Sequence, residues 1–342
     1  MLKKFNIAVI GATGLVGQVM LAVLKQRRFP IDALYLLASE RSCGESISFD
    51  KRHLFVENVA DFDFKKVHIA LFTAGAAVSA KYVPIATKNA CIAIDNTSQF
   101  RYDDDVPLVI PEVNATALAG YKKRNIIANP NCSTIQMLLA LKPIYDAVGI
   151  SRINVVTFQA VSGAGKEALQ ELLDQSGKLL NGLAIKKPRA FSAQIVFNVI
   201  PQIDDFQENG YTREEMKMVW ETQKILADKL IQVNPTAVRV PVLYGHSESL
   251  HIETKKKISV SQARQLLQKA PGVTVVGGRR FKNSYPMPVM RNFREDDVMV
   301  GRLREDISHP LGLNLWTVSD NTRKGAALNA VQIAECLIQE YL

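Results

Sequence analysis

Apolar residues in the first 130 positions fall into short unbroken runs, at 6–10, 33–38, 67–72, 91–95, 108–110 and 125–128. Runs that are continuous rather than alternating predict strands covered on both faces. Between several of them the spacing becomes the three-to-four-residue repeat of an amphipathic helix, as at 15–26 and 76–89. Strands alternating with helices predict a doubly wound α/β sheet of the Rossmann type. The pattern changes after Cys132. Residues 133–148 read as a helix interrupted by Pro143, and 152–159 are rich in β-branched residues. Helices are predicted over 166–180 and 213–230, and strands over 238–242, 250–254, 297–303 and 313–318. Longer strands with fewer helices predict an α+β second domain on a mainly antiparallel sheet. The last stretch, 325–341, places Ala326, Ala330, Ile333, Ala334 and Leu337 at helical spacing, so it is expected to pack back on the first domain.

Length fits this division, since 342 residues at about 150 per domain suggest two domains. Charge adds less than it promises. The 42 Lys and Arg exceed the 33 Asp and Glu by +9. The cations come as scattered pairs such as Lys3-Lys4, Arg27-Arg28, Lys65-Lys66 and Lys186-Lys187, and as the triplets at 122–124 and 255–257. Without aromatic interleaving or a basic recognition helix, they read as solvated faces and argue against a nucleic-acid partner. The uncharged stretch 5–24 resembles a membrane span in composition, but Gly11, Gly14 and Gly17 break it. A strand, a glycine turn and a helix explain it better, so no membrane partner is expected. Cys43, Cys91, Cys132 and Cys336 form no C-x-x-C pair, which points to reduced thiols in the cytoplasm and to no metal site.

Candidate chemistry begins at Gly11-Ala12-Thr13-Gly14-Leu15-Val16-Gly17, directly after the first strand. Glycines let backbone approach a pyrophosphate whose charge the helix N-terminus stabilises. After the second predicted strand come Glu40, Arg41 and Ser42. Arg41 and Ser42 suit a 2′-phosphate and favour NADP, with Glu40 expected to face away. Asp32 precedes that strand and is set aside as the ribose carboxylate. Asn129-Pro130-Asn131-Cys132-Ser133-Thr134 puts a cysteine where a buried strand passes into a helix, a setting that favours a thiolate nucleophile. Cys43, Cys91 and Cys336 fit small core hydrophobes. Of the five histidines, His68 lies in an apolar run and reads as structural. His246 and His251, five apart on an extended chain, point to opposite faces, and spacing alone does not choose between them. Arg239, on a short strand, suits a carboxylate, and Arg101, after another strand, suits a phosphate. Glu214 and Lys217 share a helix face, as an ordinary surface ion pair also would.

These elements resemble the aspartate-β-semialdehyde dehydrogenase family. The matching motifs are the glycine turn, the stretch 129–134, Gln159-Ala160-Val161-Ser162-Gly163-Ala164-Gly165, the stretch 239–246, and Asn321-Thr322-Arg323-Lys324-Gly325-Ala326-Ala327. They run in family order over nearly the whole chain. The resemblance implies NADPH-dependent reduction of L-aspartyl 4-phosphate to aspartate semialdehyde, on the way to lysine, threonine and methionine. It implies Cys132 as the acyl-forming nucleophile, His246 as the acid/base, and Gln159 orienting the substrate. Arg239 would take the substrate carboxylate, Arg101 and Lys217 the phosphate, with Asn131 and Glu214 near the substrate. Gly11, Thr13, Gly14, Leu15, Val16, Arg41, Ser42, Ser162, Gly163 and Asn321 would line the cofactor. It also implies a homodimer, with an NADP-binding domain of residues 1–131 plus 322–342 and a substrate and dimerisation domain of 132–321. The region 180–210 receives no function.

Overall fold

The computed structural model describes residues 3–185, 187–277, 284–290 and 295–342; Lys186 of the predicted basic pair lies outside them. The chain divides into two units, Met1–Asn131 with Ala326–Leu342, and Cys132–Gly325. The expected return at residue 322 therefore precedes the division, and 322–325 stay with the second unit.

The first unit contains β1 (Phe5–Ile10), α1 (Leu15–Gln26), β2 (Ile31–Ala38), β3 (Ser46–Phe49), β4 (Arg52–Asn58), β5 (Ile69–Phe72), α2 (Ala76–Lys88), β6 (Ile92–Asp95), α3 (Pro111–Asn114) and β7 (Ile126–Ala128). Its seven-stranded sheet runs β3-β4-β2-β1-β5-β6-β7. All neighbours are parallel except the β3–β4 hairpin at the edge. β1 and β5 are buried on both faces, which is why they read as continuous apolar runs. The predicted strand at 108–110 is not formed. Pro107 and Pro111 bracket that buried run, and it makes one isolated bridge, Leu108 to Ala128. The hairpin β3–β4 escaped prediction because its edge position leaves Arg52, His53 and Glu57 exposed and blurs the pattern.

The second unit contains α4 (Cys132–Val148), β8 (Ile150–Gln159), α5 (Lys166–Leu180), α6 (Arg213–Ile225), β9 (Gln232–Arg239), β10 (His246–Thr254), α7 (Val260–Lys269), β11 (Val273–Val275), β12 (Val298–Glu305) and β13 (Gly312–Ser319). Its six-stranded sheet runs β11-β12-β13-β10-β8-β9. The central pairs β12–β13, β13–β10 and β10–β8 are antiparallel, while the flanking pairs β11–β12 and β8–β9 are parallel. α4 runs through Pro143 without a break, contrary to the sequence reading. Proline removes one N–H, and burial of Ile135, Leu138, Leu139 and Ile144 holds the remaining turns. α6 ends earlier than predicted because Ala227 takes a left-handed φ of 51°. β9 begins and ends before the predicted 238–242, since an edge strand tolerates Pro235 and exposed polar residues.

The chain returns to the first unit with α8 (Leu328–Glu340). Ala330, Val331, Ile333, Ala334 and Leu337 join the same core as Val9, Leu24 and Ile127. Asn329 Nδ2 donates to Val109 O at 3.0 Å and to Asn129 Oδ1 at 2.7 Å, tying α8 to the loop before Cys132. The stretch 5–24 is β1, the turn and most of α1, and among the described residues no helix is long and apolar enough to cross a membrane.

Candidate active site

In the first unit a cleft of about 700 Å³ opens where β1, β2 and β5 end. Gly11 has φ +86°, and a Cβ there would lie 2.8 Å from Thr73 Oγ1. A Cβ on Gly17 would collide with the Gly11 carbonyl oxygen. α1 starts after Gly14 with no side-chain cap, so its first-turn N–H groups face whatever fills the cleft. Gly11, Thr13, Gly14, Arg41 and Ser42 line the cleft, whereas Leu15 and Val16 supply the first turn of α1. Close backbone approach, a helix N-terminus and the Arg41–Ser42 corner together fit the phosphates of a dinucleotide.

Two first-unit expectations change, and one lining residue is new. Glu40 does not face away; it lines the same cleft as Arg41, because 40–42 form one short 3-10 turn. Lys81 also lines the cleft and was missed, since nothing in its own helix marks it. Cys43, expected in the core, is exposed just after that turn. Asp32 lies at the other end of β2 from the cleft. Arg101, only 6% exposed, donates from Nε to Asn129 O at 2.9 Å and from Nη2 to Asn96 O at 2.8 Å. Asn131, buried, ends this unit immediately before Cys132.

In the second unit Cys132 opens α4 and is partly exposed. Gly325 packs against it: a Cβ there would sit 2.8 Å from the Cys132 Cβ. The peptide of Ala160, just past the end of β8, holds two other predicted residues. Its N–H donates to His246 Nδ1 at 3.1 Å, and its carbonyl accepts from Arg239 Nη1 at 2.7 Å. Because Nδ1 is an acceptor, the neutral His246 ring carries its proton on Nε2. That nitrogen is buried and has no partner among the described residues. Burial, reinforced by the Arg239 charge and opposed by Glu214, lowers the His246 pKa to about 3. Burial also lowers the Arg239 pKa, while Glu214 and Cys132 oppose that shift. Gly163 leaves room for both, since a Cβ there would lie 2.9 Å from Arg239 Nη1 and 3.3 Å from His246 Nε2.

Gln159 Nε2 donates to Ser133 Oγ at 3.0 Å and to Glu214 Oε1 at 3.0 Å, bracing the first turn of α4 against α6. Lys217 Nζ reaches Glu214 Oε2 at 3.1 Å and Asp204 Oδ2 at 2.8 Å. Burial works against the Lys217 charge, but these carboxylates outweigh it and raise its pKa. Asn321 Oδ1 accepts from Ser162 Oγ and from Gly245 N, each at 3.1 Å. The structure thus gathers Cys132, Gln159, Ser162, Gly163, Glu214, Lys217, Arg239, His246 and Asn321 in one unit. His251 stands apart on β10, paired with Asp306 and Asn154. His68 accepts from the Asn6 N–H at 2.9 Å, a structural role. Asp204 had no sequence signal, lying in the loop region left without a function. The hub at Ala160 was hidden for another reason: it acts through its backbone. Among the described residues, no group of His, Cys, Asp and Glu is arranged to hold a metal.

Comparison with known proteins gives this arrangement a family. Residues 6–121 match the model described as semialdehyde dehydrogenase, NAD binding domain, and residues 141–324 match semialdehyde dehydrogenase, dimerisation domain. An aspartate-semialdehyde dehydrogenase of Legionella pneumophila is 59% identical over 342 residues, covering 100% of this chain and 98% of that protein. The crystal structure of Vibrio cholerae aspartate semialdehyde dehydrogenase II complexed with ASA superposes with a TM-score of 0.97 at 57% identity, covering 99% of this chain and 100% of that one. A probable aspartate-semialdehyde dehydrogenase from Pseudomonas aeruginosa gives 0.94 at 33% identity, covering 99% and 100%. With its nucleotide-binding and dimerisation domains both matched and its cysteine, histidine and arginine gathered in one unit, the chain belongs to the aspartate-semialdehyde dehydrogenase family.

Proposed function

We propose that the chain is a cytoplasmic, homodimeric enzyme that reduces L-aspartyl 4-phosphate to L-aspartate 4-semialdehyde and phosphate through a thioester on Cys132. The step serves lysine, threonine and methionine synthesis. Residues 1–131 with 326–342 form its NADP-binding domain, and 132–325 its substrate and dimerisation domain. The observation that carries the reading is the Ala160 backbone, which holds a neutral histidine and a buried arginine in the unit that begins at Cys132.

The N-terminal end of α4 favours the Cys132 thiolate, which attacks the acyl carbon. A C–S bond forms, the C–O bond to phosphorus breaks, and the phosphate leaves to Arg101 and to the Lys217 donor not spent on Glu214 and Asp204. Arg239 holds the substrate carboxylate, while Gln159 and Glu214 orient its amino-bearing end beside Asn131. His246 donates from Nε2–H to the carbonyl oxygen as charge builds there and recovers that proton when the tetrahedral species collapses. Gly11, Thr13 to Val16, Arg41, Ser42, Ser162, Gly163 and Asn321 would hold NADPH, which when bound would supply the hydride that reduces the thioester. Breaking the C–S bond then returns the Cys132 thiolate. A thioester accepts hydride far more readily than a carboxylate, so the covalent step divides a hard reduction into two.

The test is NADP reduction by aspartate semialdehyde with and without phosphate, run beside NAD. Turnover that requires phosphate and prefers NADP is expected. Cofactor binding with no phosphate-dependent oxidation of the aldehyde would overturn the reading.

A further inference from the structure

Glu248 has no part in the chemistry above, yet it is the most deeply enclosed carboxyl in the second unit's site strand. It lies on β10 two residues beyond His246, so both side chains leave the same face of the sheet. It is 0% exposed. Its strand neighbours across the sheet are Thr157 on β8 and Thr317 on β13, both also 0% exposed. The Thr317 hydroxyl donates to Glu248 Oε2 at 3.2 Å and accepts from Gln136 Nε2 at 2.8 Å. Gln136 is on α4, one turn after Cys132 and facing the same way along the helix. Glu248 Oε1 has no partner among the described residues. A buried carboxyl with one lone contact destabilises a core relative to an apolar side chain of the same size. Packing alone therefore gives no reason for an acid at this position, whereas the path it completes leads from the histidine strand to the cysteine helix.

We propose that Glu248 is a positioning residue for the reaction: through the Thr317 hydroxyl and the Gln136 amide it seats the first turns of α4, and with them Cys132, on the strand that carries His246. The hydrogen-bond direction along the path is fixed at both ends. The Gln136 amide nitrogen can only donate, so the Thr317 hydroxyl spends its one proton on Glu248. Remove the acceptor and Thr317 is free to rotate, and the α4 amide loses the oriented oxygen it grips. Burial raises the Glu248 pKa well above the ordinary carboxylate value, with only the Thr317 hydroxyl opposing it, so the acceptor works as a neutral acid. A neutral isostere should therefore replace it. This inference rests on the proposed function only in taking Cys132 and His246 as the groups to be aligned.

Three variants and a readout independent of turnover test it. Glu248→Leu and Thr317→Val each break the path, and the second is close to isosteric, so it folds if the first does not. Each is expected to lower kcat by about 10-fold while KM for aspartate semialdehyde changes less than about 2-fold. The alkylation rate of Cys132, followed by peptide mass spectrometry so that Cys43 does not contribute, should shift in both. Glu248→Gln should keep kcat and alkylation within about 2-fold of the parent. Its melting advantage over the parent should also be larger at pH 7 than at pH 4. Folding raises the Glu248 pKa, so above the unfolded value of 4.5 the parent takes up a proton there, and this lowers its stability as pH rises. Unchanged kcat and alkylation in Leu and Val variants that merely melt lower would overturn the proposal. So would a glutamine variant as impaired as leucine. If the parent itself shows no aldehyde oxidation, the proposed function fails, while the Cys132 alkylation rates still decide this one.

Discussion

The two halves of the predicted chemistry are built in opposite ways. The cleft of the first unit is an open surface shaped mainly by backbone: glycines that permit close approach, a helix without a side-chain cap, and exposed Arg41 and Glu40 at the rim. The cluster of the second unit is enclosed and held by specific side-chain bonds, with Arg239 and His246 at 5% and 0% exposure. An open, backbone-built site binds a ligand whose own charges do the recognising, and it tolerates substitution at the rim. A buried, hydrogen-bonded site fixes protonation states and orientation, so it has little slack. That enclosure is what shifts His246 so strongly.

That contrast predicts unequal sensitivity. Replacing His246 with Ala removes the neutral donor proposed for the carbonyl oxygen and should lower kcat by roughly 10²- to 10⁴-fold. The parent's pH–rate profile should carry no inflection from His246 between pH 5 and 8, since its pKa lies near 3; a limb near 6.5 that disappears in the His246 variant would contradict the buried tautomer. Arg239→Lys keeps the charge but loses the fork that serves both Ala160 and a carboxylate, and kcat/KM should fall by about 10²-fold. An unaffected KM and kcat would show that Arg239 is merely structural.

Stability should follow the same division. In the folded chain His246 stays neutral down to about pH 3, whereas in the unfolded chain it takes a proton below its ordinary value of 6.5. The unfolded state thus binds more protons in that window, and the His246 contribution is lost as pH falls, at up to about 1.4 kcal/mol per pH unit. Urea unfolding from pH 7 to 4 should show a shallower acid slope for His246→Gln than for the parent; equal slopes would refute the assignment. Effects in the cleft should be smaller. Arg41→Ala is expected to raise KM for NADP by about 10-fold with little change for NAD. Glu40→Gln should improve NADP binding by only about 2-fold, because the rim is exposed and screened. A larger effect at the rim than at Arg239 would invert the comparison.

What could be read from the chain follows from how local each feature is. The β1–turn–α1 unit was legible because strand, glycines and helix are consecutive, and their burial shows directly in the residue pattern. The α8 return was legible from helical spacing alone. The β3–β4 hairpin was not, since an edge with one solvated face carries a weak alternation. The run at 108–110 misled because a buried run cut short by Pro107 and Pro111 looks much like a buried strand in its apolar pattern. In the site, residues standing in compact motifs were found, as with Cys132 and the glycine turn. The choice between His246 and His251 depended on strand face and on partners far away in sequence, Ala160 for one and Asp306 for the other. Asp204 and Glu248 left no mark because their roles are made entirely by tertiary contacts.

The central claim is a covalent acyl group on Cys132, and the oxidative half-reaction exposes it. Aspartate semialdehyde and NADP, mixed with the enzyme in the absence of phosphate, should give a burst of about one NADPH per Cys132 and then stall until phosphate is added. Intact-protein mass should show the matching acyl adduct, and Cys132→Ala should give neither burst nor adduct. Steady NADPH formation without phosphate, or a burst that survives Cys132→Ala, would contradict the account.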